Sequence, residues 1–177
     1  MSNKKENFVY FFHSSSPFSQ WYYAPFKANP LFHSDISSTP QQFENNEQWM
    51  MYNKALLFND LKTAKKILYT TNPSKIKALG REVENFDEKE WDQHKYNIVY
   101  QGNKYKFTQN PKLLEILLKT GTKTLVEASP YDKVWGIGLS EDDPKARNRE
   151  SWRGQNLLGE ILTKLKKELE GQQSAKT

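Results

Sequence analysis

Between Gln41 and Gly121 the chain is cut into helix-length pieces at Asn72-Pro73, Phe86-Asp87, Asn110-Pro111 and Gly121 itself. Proline lacks the amide hydrogen a helix interior needs, and Asn, Asp and Gly favour helix ends, so each cut marks a boundary. The spacing predicts helices over 41–58, 60–69, 73–83, 88–100 and 111–119, the first behind a Ser37-Ser38-Thr39-Pro40 cap signal. A last helix is expected over 149–170, with Leu158, Ile161, Leu162, Leu165 and Leu169 on one stripe. Short strands are expected at 8–12, near 31–33 and at 124–126. The fold class is mainly α with a few short strands. Residues 1–7 read as disordered, 8–170 as one domain and 171–177 as a polar, frayed tail.

Composition narrows the chemistry. A length of 177 residues suits a single domain with a real core. No apolar stretch approaches the roughly 20 residues that cross a bilayer, and Met1–Glu6 lacks the apolar core of a secretion signal, so a soluble, cytoplasmic protein without membrane partners is expected. With no cysteine, disulfides, cysteine nucleophiles and thiolate metal sites are excluded. His13, His33 and His94 have no metal-ligand spacing, so neither metal nor cofactor is expected. The net charge of +5 favours an anionic partner, a phosphate-bearing metabolite or nucleic acid. Five tryptophans suit recognition of flat rings. Walker loops, dinucleotide glycine patterns and His-Glu-x-x-His are absent.

Two segments place polar groups where a core would not. Thr124-Leu125-Val126 reads as a buried strand delivering Glu127 to its end, after which Pro130, Gly136 and Gly138 force irregular backbone. Glu127, Asp132 and Trp135 then offer two acids and a stacking surface, unless the loop is a surface turn with solvated acids. On the first long helix, Glu47, Met50, Met51, Lys54, Phe58 and Leu61 share a face. Glu47 and Lys54 lie seven residues apart, roughly 10 Å along the axis, too far to pair directly. Either a ligand or third group lies between them, or Lys54 snorkels and Glu47 sits at the helix edge.

Weaker signals accompany these. Trp152, Asn156 and Gly159 share a face of the last helix, and Gly159, costing about 1 kcal/mol against alanine, implies close approach by a backbone or another helix. Arg153, near that helix start, opposes the macrodipole and suggests either a bound anion or a solvated side chain. Leu79-Gly80-Arg81 places a glycine suited to a left-handed or tightly packed position beside an arginine able to fork onto a phosphate or carboxylate. Trp91 is a core anchor or a stacking platform.

Seven blocks in order resemble the NADAR (YbiA-like) family: Ser16-Pro17-Phe18-Ser19 with Pro25-Phe26; Glu47 to Phe58 with Lys54-Ala55; Leu79-Gly80-Arg81; Trp91; Lys106-Phe107-Thr108-Gln109-Asn110; Leu125 to Gly138; and Trp152 to Gly159. The resemblance spans about Phe8 to Leu169 and implies a mainly helical N-glycosidase that cleaves between ribose C1 and a nitrogen. It implies one of two substrates: ADP-ribose on guanine in nucleic acid, or ribosylamino-pyrimidine intermediates of riboflavin synthesis. The expected partner is correspondingly ADP-ribosylated guanine nucleic acid or a phosphorylated ribosyl metabolite. A non-catalytic binder of ADP-ribose or nucleic acid is a third reading. Carried onto this chain, the resemblance puts the chemistry on Glu47, Lys54 and Asp132 by one of two routes: by analogy with glycoside hydrolysis, Glu47 and Asp132 stabilise an oxocarbenium-like centre or orient water and protonate the leaving base, with Glu127 orienting, or a neutral Lys54 amine attacks C1 of the opened ribose to give a Schiff base. Trp91 and Trp135 would stack on a base, Arg81 and Arg153 would hold phosphates, and Phe18, Gly136 and Asn156 would complete substrate binding. Gln48-Trp49 replaces the family's common Tyr or His after the helix glutamate.

Overall fold

The computed structural model describes residues 5–33 and 39–176. In chain order its elements are β1 (Phe8–Phe11), β2 (Phe26–Ala28), β3 (Gln41–Phe43), α1 (Asn46–Leu57), α2 (Leu61–Leu68), α3 (Pro73–Arg81), α4 (Glu88–Gln109), α5 (Pro111–Leu118), β4 (Thr124–Glu127) and α6 (Leu157–Lys176). Two short 3-10 turns, Pro144–Arg147 and Arg149–Ser151, precede α6. The fold is therefore mainly α with short strands, as expected. The chain separates into two compact units, Gln20–Pro111 and a unit built from both chain ends, Met1–Ser19 with Lys112–Thr177.

In the helical unit, Gln20–Pro111, four helices start at an Asn or Asp side chain that accepts a first-turn N–H. Asn45 accepts from Gln48, Asp60 from Thr63, Asn72 from Lys75 and Asp87 from Glu90. The cap at Asn45 shifts the first helix start from Gln41 to Asn46. Gln41–Phe43 instead pairs antiparallel with Phe26–Ala28, Phe26 opposite Phe43. Ser37 and Ser38 of the expected cap lie outside the described residues. The strand expected at 31–33 is a bend, because Leu31 N–H donates to Asn53 Oδ1 at 2.9 Å and His33 adopts φ 53°. Helix α4 continues past Tyr100 to Gln109, since the first residue pair able to stop it is Asn110-Pro111. Its internal Gly102 is tolerated because it admits Trp49: a Cβ there would sit 2.4 Å from the indole. Trp49 is fully buried, donates Nε1–H to Ile98 O at 2.8 Å and packs against Phe26, Phe43 and Tyr105.

The same face of α4 buries Lys106, whose ammonium lies 5.6 Å from the Tyr22 ring centroid and is pushed down to about 7 by burial. The unfolded chain keeps that proton up to the ordinary lysine range, whereas the folded one releases it near 7. Between those values the unfolded state binds more protons, so stability rises with pH, by at most about 1.4 kcal/mol per pH unit for one group. Lys106→Met is expected to flatten that rise. Urea melts at pH 7, 8.5 and 10 check it, and an unaltered slope would show that other groups carry the dependence.

In the unit built from the chain ends, β1 lies parallel to β4 with Phe8 opposite Thr124 and Phe11 opposite Glu127. Val126, Ala128, Ile137, Leu139 and Ala146 form a buried cluster capped by Phe8, Tyr10 and Trp152. Residues 1–4 of the expected disordered start lie outside the described residues, but Asn7 O accepts Thr124 N–H at 2.9 Å and Glu6 is held by the Arg149 guanidinium. Arg149 also binds Glu160 at 2.5 Å and lies over the Trp152 ring, joining the N-terminal segment to α6. The last helix begins at Leu157 rather than Arg149, because Asn156 takes φ 52°, and it runs on through Gly171 to Lys176. Thr177 lies outside the described residues. Trp152 and Asn156 thus precede the helix whose face they were expected to share.

Candidate functional site

Glycine 80 explains how α1 presents its charged groups in the helical unit. It is helical rather than left-handed, and a Cβ there would lie 2.0 Å from Met51 Sδ, so only glycine lets α3 close onto α1. That approach brings the Gly80 carbonyl, one of those α3 leaves unsatisfied at its C-terminal turn, within 2.8 Å of Lys54 Nζ. The ammonium lies 4.7 Å from the Phe86 centroid and 5.6 Å from that of Trp91. Burial holds Lys54 below the usual lysine range; Glu47 opposes that shift and Arg81 adds to it. Glu47, in the first turn of α1, is 5% exposed and feels Lys54 through space. Trp91 is half-buried, facing Lys54 with part of its ring open, and Phe86 is 47% exposed. Arg81 is exposed beside them. An amine of lowered basicity, a buried acid and two aromatic rings are groups with which nucleophilic chemistry on a ring-bearing ligand can be done.

In the other unit, the loop after β4 is tied to itself. Asp132 Oδ1 accepts N–H groups from Val134 at 2.9 Å and Trp135 at 2.8 Å, so its carboxylate shapes the turn that carries Trp135. Gly136 packs so tightly that a Cβ would lie 2.9 Å from Glu127 O, and Ile137 N–H donates to that carbonyl at 2.9 Å. The half-buried Glu127 donates its N–H to Asn156 Oδ1 at 3.0 Å, while Asn156 Nδ2 donates to Leu125 O at 3.1 Å. The buried Asn156 amide thereby pairs with the edge of β4 as a further strand would. Phe18 is buried and meets Phe11 edge-on at 5.7 Å. Arg153 is exposed, and the first N–H groups of α6, from Leu157 and Leu158, donate to Val134 O and Trp135 O. Loop carbonyls therefore fill the helix start where an anion was one expectation for Arg153.

The candidate residues fall into two sets: Glu47, Lys54, Arg81 and Trp91 in the helical unit, and Phe18, Glu127, Asp132, Trp135, Gly136, Arg153 and Asn156 in the other. Within the first set, Glu47, Arg81 and Trp91 all act on the Lys54 ammonium, by charge or by ring. Sequence reasoning missed Phe86, read only as punctuation beside Asp87. It also missed Gln20, whose side chain belongs to a buried amide network. Among the described residues no group of His, Cys, Asp and Glu is arranged to hold a metal ion. No helix there is long and apolar enough to cross a membrane.

A family model for the NADAR domain matches residues 8–170. N-glycosidase R617 of Acanthamoeba polyphaga mimivirus is 46% identical over 151 residues, covering 85% of this chain and 86% of that protein. Protein irg-1 of Caenorhabditis elegans is 40% identical over 176 residues, covering 96% and 83%. The NMR structure of the E. coli protein YbiA superposes with a TM-score of 0.73 at 21% identity, covering 97% of this chain and 92% of that one, a likeness of fold. With matching blocks, a matching fold and a family model over nearly the whole length, the chain belongs to the NADAR family of N-glycosidases.

Proposed function

We propose that this protein hydrolyses the bond between ribose C1 and a base nitrogen, with ADP-ribose on guanine in nucleic acid as its substrate. The observation that carries the reading is Lys54: a partly desolvated amine, held by one carbonyl between two aromatic faces and within the field of a buried acid. In the step assigned to it, the ribose ring opens as its oxygen leaves C1 and takes up a proton. The neutral Lys54 amine then adds to C1. The base nitrogen departs with the C1–N bonding pair after receiving a proton, leaving an imine to Lys54 that water hydrolyses to free amine and sugar aldehyde. Glu47 is assigned the proton transfers, Phe86 and Trp91 the stacking on the flat rings, and Arg81 the diphosphate. The choice of an ADP-ribosyl nucleic acid is supported by the charge of +5 and the aromatic content of 14%.

Incubation with an ADP-ribosylated guanine oligonucleotide, with a ribosylamino-pyrimidine phosphate as control, tests the substrate. Release of unmodified oligonucleotide is expected, and cleavage of the pyrimidine alone rejects the assignment. Glu47→Gln is expected to lower kcat by about 10²–10³-fold, in the range of one lost acid–base group. A kcat within threefold of wild type would remove Glu47 from the chemistry. The amine must be neutral to attack, so kcat/KM is expected to rise with pH through the lowered Lys54 value, on a limb lying below the 10.5 of an ordinary lysine. A flat profile up to pH 10 would contradict this.

A further inference from the structure

A chain of amide hydrogen bonds in the helical unit fixes the orientation of Gln20. Asn103 Nδ2 donates to Val99 O at 2.9 Å, one turn back on α4, which identifies that atom as the nitrogen. Asn103 Oδ1 accordingly accepts from Asn46 Nδ2 at 2.9 Å. The atom of Gln20 that meets Asn103 Nδ2 at 3.2 Å must then be the acceptor, Oε1. By elimination Nε2 is the other terminal atom, and it is buried from solvent with no hydrogen-bond partner. A second atom of the network, Asn46 Oδ1, is likewise unsatisfied, but it lies against the α-carbon of Gly102, where a Cβ would come within 2.8 Å, and that close packing accounts for it. Nothing comparable accounts for Gln20. A buried donor left open costs about 1–3 kcal/mol, which an acceptor reaching it would offset.

Its position suggests the use. Gln20 O accepts the N–H of Glu47 at 3.0 Å, so the open donor belongs to the residue hydrogen-bonded to the main chain of the assigned acid. A neutral amide donor carries no charge with which to hold an anion. It is well suited to a hydroxyl, which accepts from the amide and remains free to donate. We infer that Gln20 is a substrate-binding residue whose Nε2–H group donates to a hydroxyl of the ribose undergoing cleavage. The inference rests on the reading of Glu47 as the acid acting on a ribosyl group.

The test measures binding of ADP-ribose, ribose 5-phosphate and ADP by calorimetry to wild type, Gln20→Met and Gln20→Glu, with thermal melts to confirm folding. Gln20→Glu keeps an oxygen for Asn103 and replaces the donor with a carboxylate oxygen, and the uncharged Gln20→Met controls for the added charge. Both variants are expected to bind ADP-ribose at least tenfold more weakly and to bind ADP, which lacks the reacting ribose, as wild type does. Unchanged affinity for ADP-ribose in a folded variant overturns the inference while leaving guanine hydrolysis by wild type untouched. Equal losses for ADP and ADP-ribose overturn it as well, because the contact then lies on the adenosine side. If wild type does not cleave ADP-ribosyl guanine yet binds ribose 5-phosphate in a Gln20-dependent way, the substrate reading fails and the Gln20 contact stands. Failure of wild type to bind either ribosyl compound overturns both.

Discussion

Replacing Lys54 with alanine is expected to reduce turnover at least 10³-fold, and wild type mixed with ADP-ribose and cyanoborohydride is expected to gain the mass of a reduced sugar adduct that the variant lacks. The amine is the group for which the surroundings are built. Gly80 is small so that α3 can offer its carbonyl, Phe86 and Trp91 flank the nitrogen, and burial keeps it below the usual lysine range. A nucleophilic amine is useful only when unprotonated, and desolvation raises that fraction near neutral pH. Lys54→Arg should be as inactive, since a guanidinium stays protonated. Loss of the hydrogen bond to Gly80 O should cost only about 1 kcal/mol of stability, so the melting curve should change little. If folded Lys54→Ala retains a tenth of wild-type activity, or the adduct forms equally on the variant, the imine route is wrong. Glu47 and water would then have to carry the cleavage.

The largest structural effect is expected from Gly159→Ala. A Cβ at that position would lie 2.2 Å from Leu125 O and 2.4 Å from Asn156 Oδ1. The first is backbone of β4 and the second is the amide that pairs with its edge, so neither can yield without breaking a hydrogen bond. Overpacking of this kind costs about 3 kcal/mol or more when backbone must shift. For a chain of this size that corresponds to roughly 6–12 °C in Tm. Gly171→Ala on the same helix is the control: nothing lies within 4 Å of its Cβ, and removing a helical glycine should raise stability by about 0.5–1 kcal/mol. Differential scanning calorimetry of the two variants reads both signs. A Gly159→Ala melt within 2 °C of wild type would mean that α6 can lift off β4 at little cost.

Helix starts at Asp60, Pro73, Glu88 and Pro111 were legible because capping and proline geometry act over three or four residues, a range the sequence displays directly. Boundaries set by distant partners were not. Gln41–Phe43 has a helix-compatible composition, but its partner is Phe26–Ala28, and pairing across that separation overrides local preference. The start of α6 was misplaced for a related reason, since the turn at Asn156 is held by hydrogen bonds to Leu125 and Glu127 some thirty residues earlier.

The site divides along the same line. That Glu47 and Lys54 share a face of one helix follows from a period of 3.6 residues per turn, and the family blocks marked both for chemistry. What the sequence by itself determined was which residues carry charge, which carry rings and which face of α1 they occupy. The tertiary structure decided their chemical state. Burial against α3, a carbonyl made reachable by Gly80, the ring of Phe86 and the amide chain through Gln20 are contacts between segments 26 to 83 residues apart. Desolvation and hydrogen-bond satisfaction depend on all neighbours in space, whereas the sequence reports neighbours along the chain only.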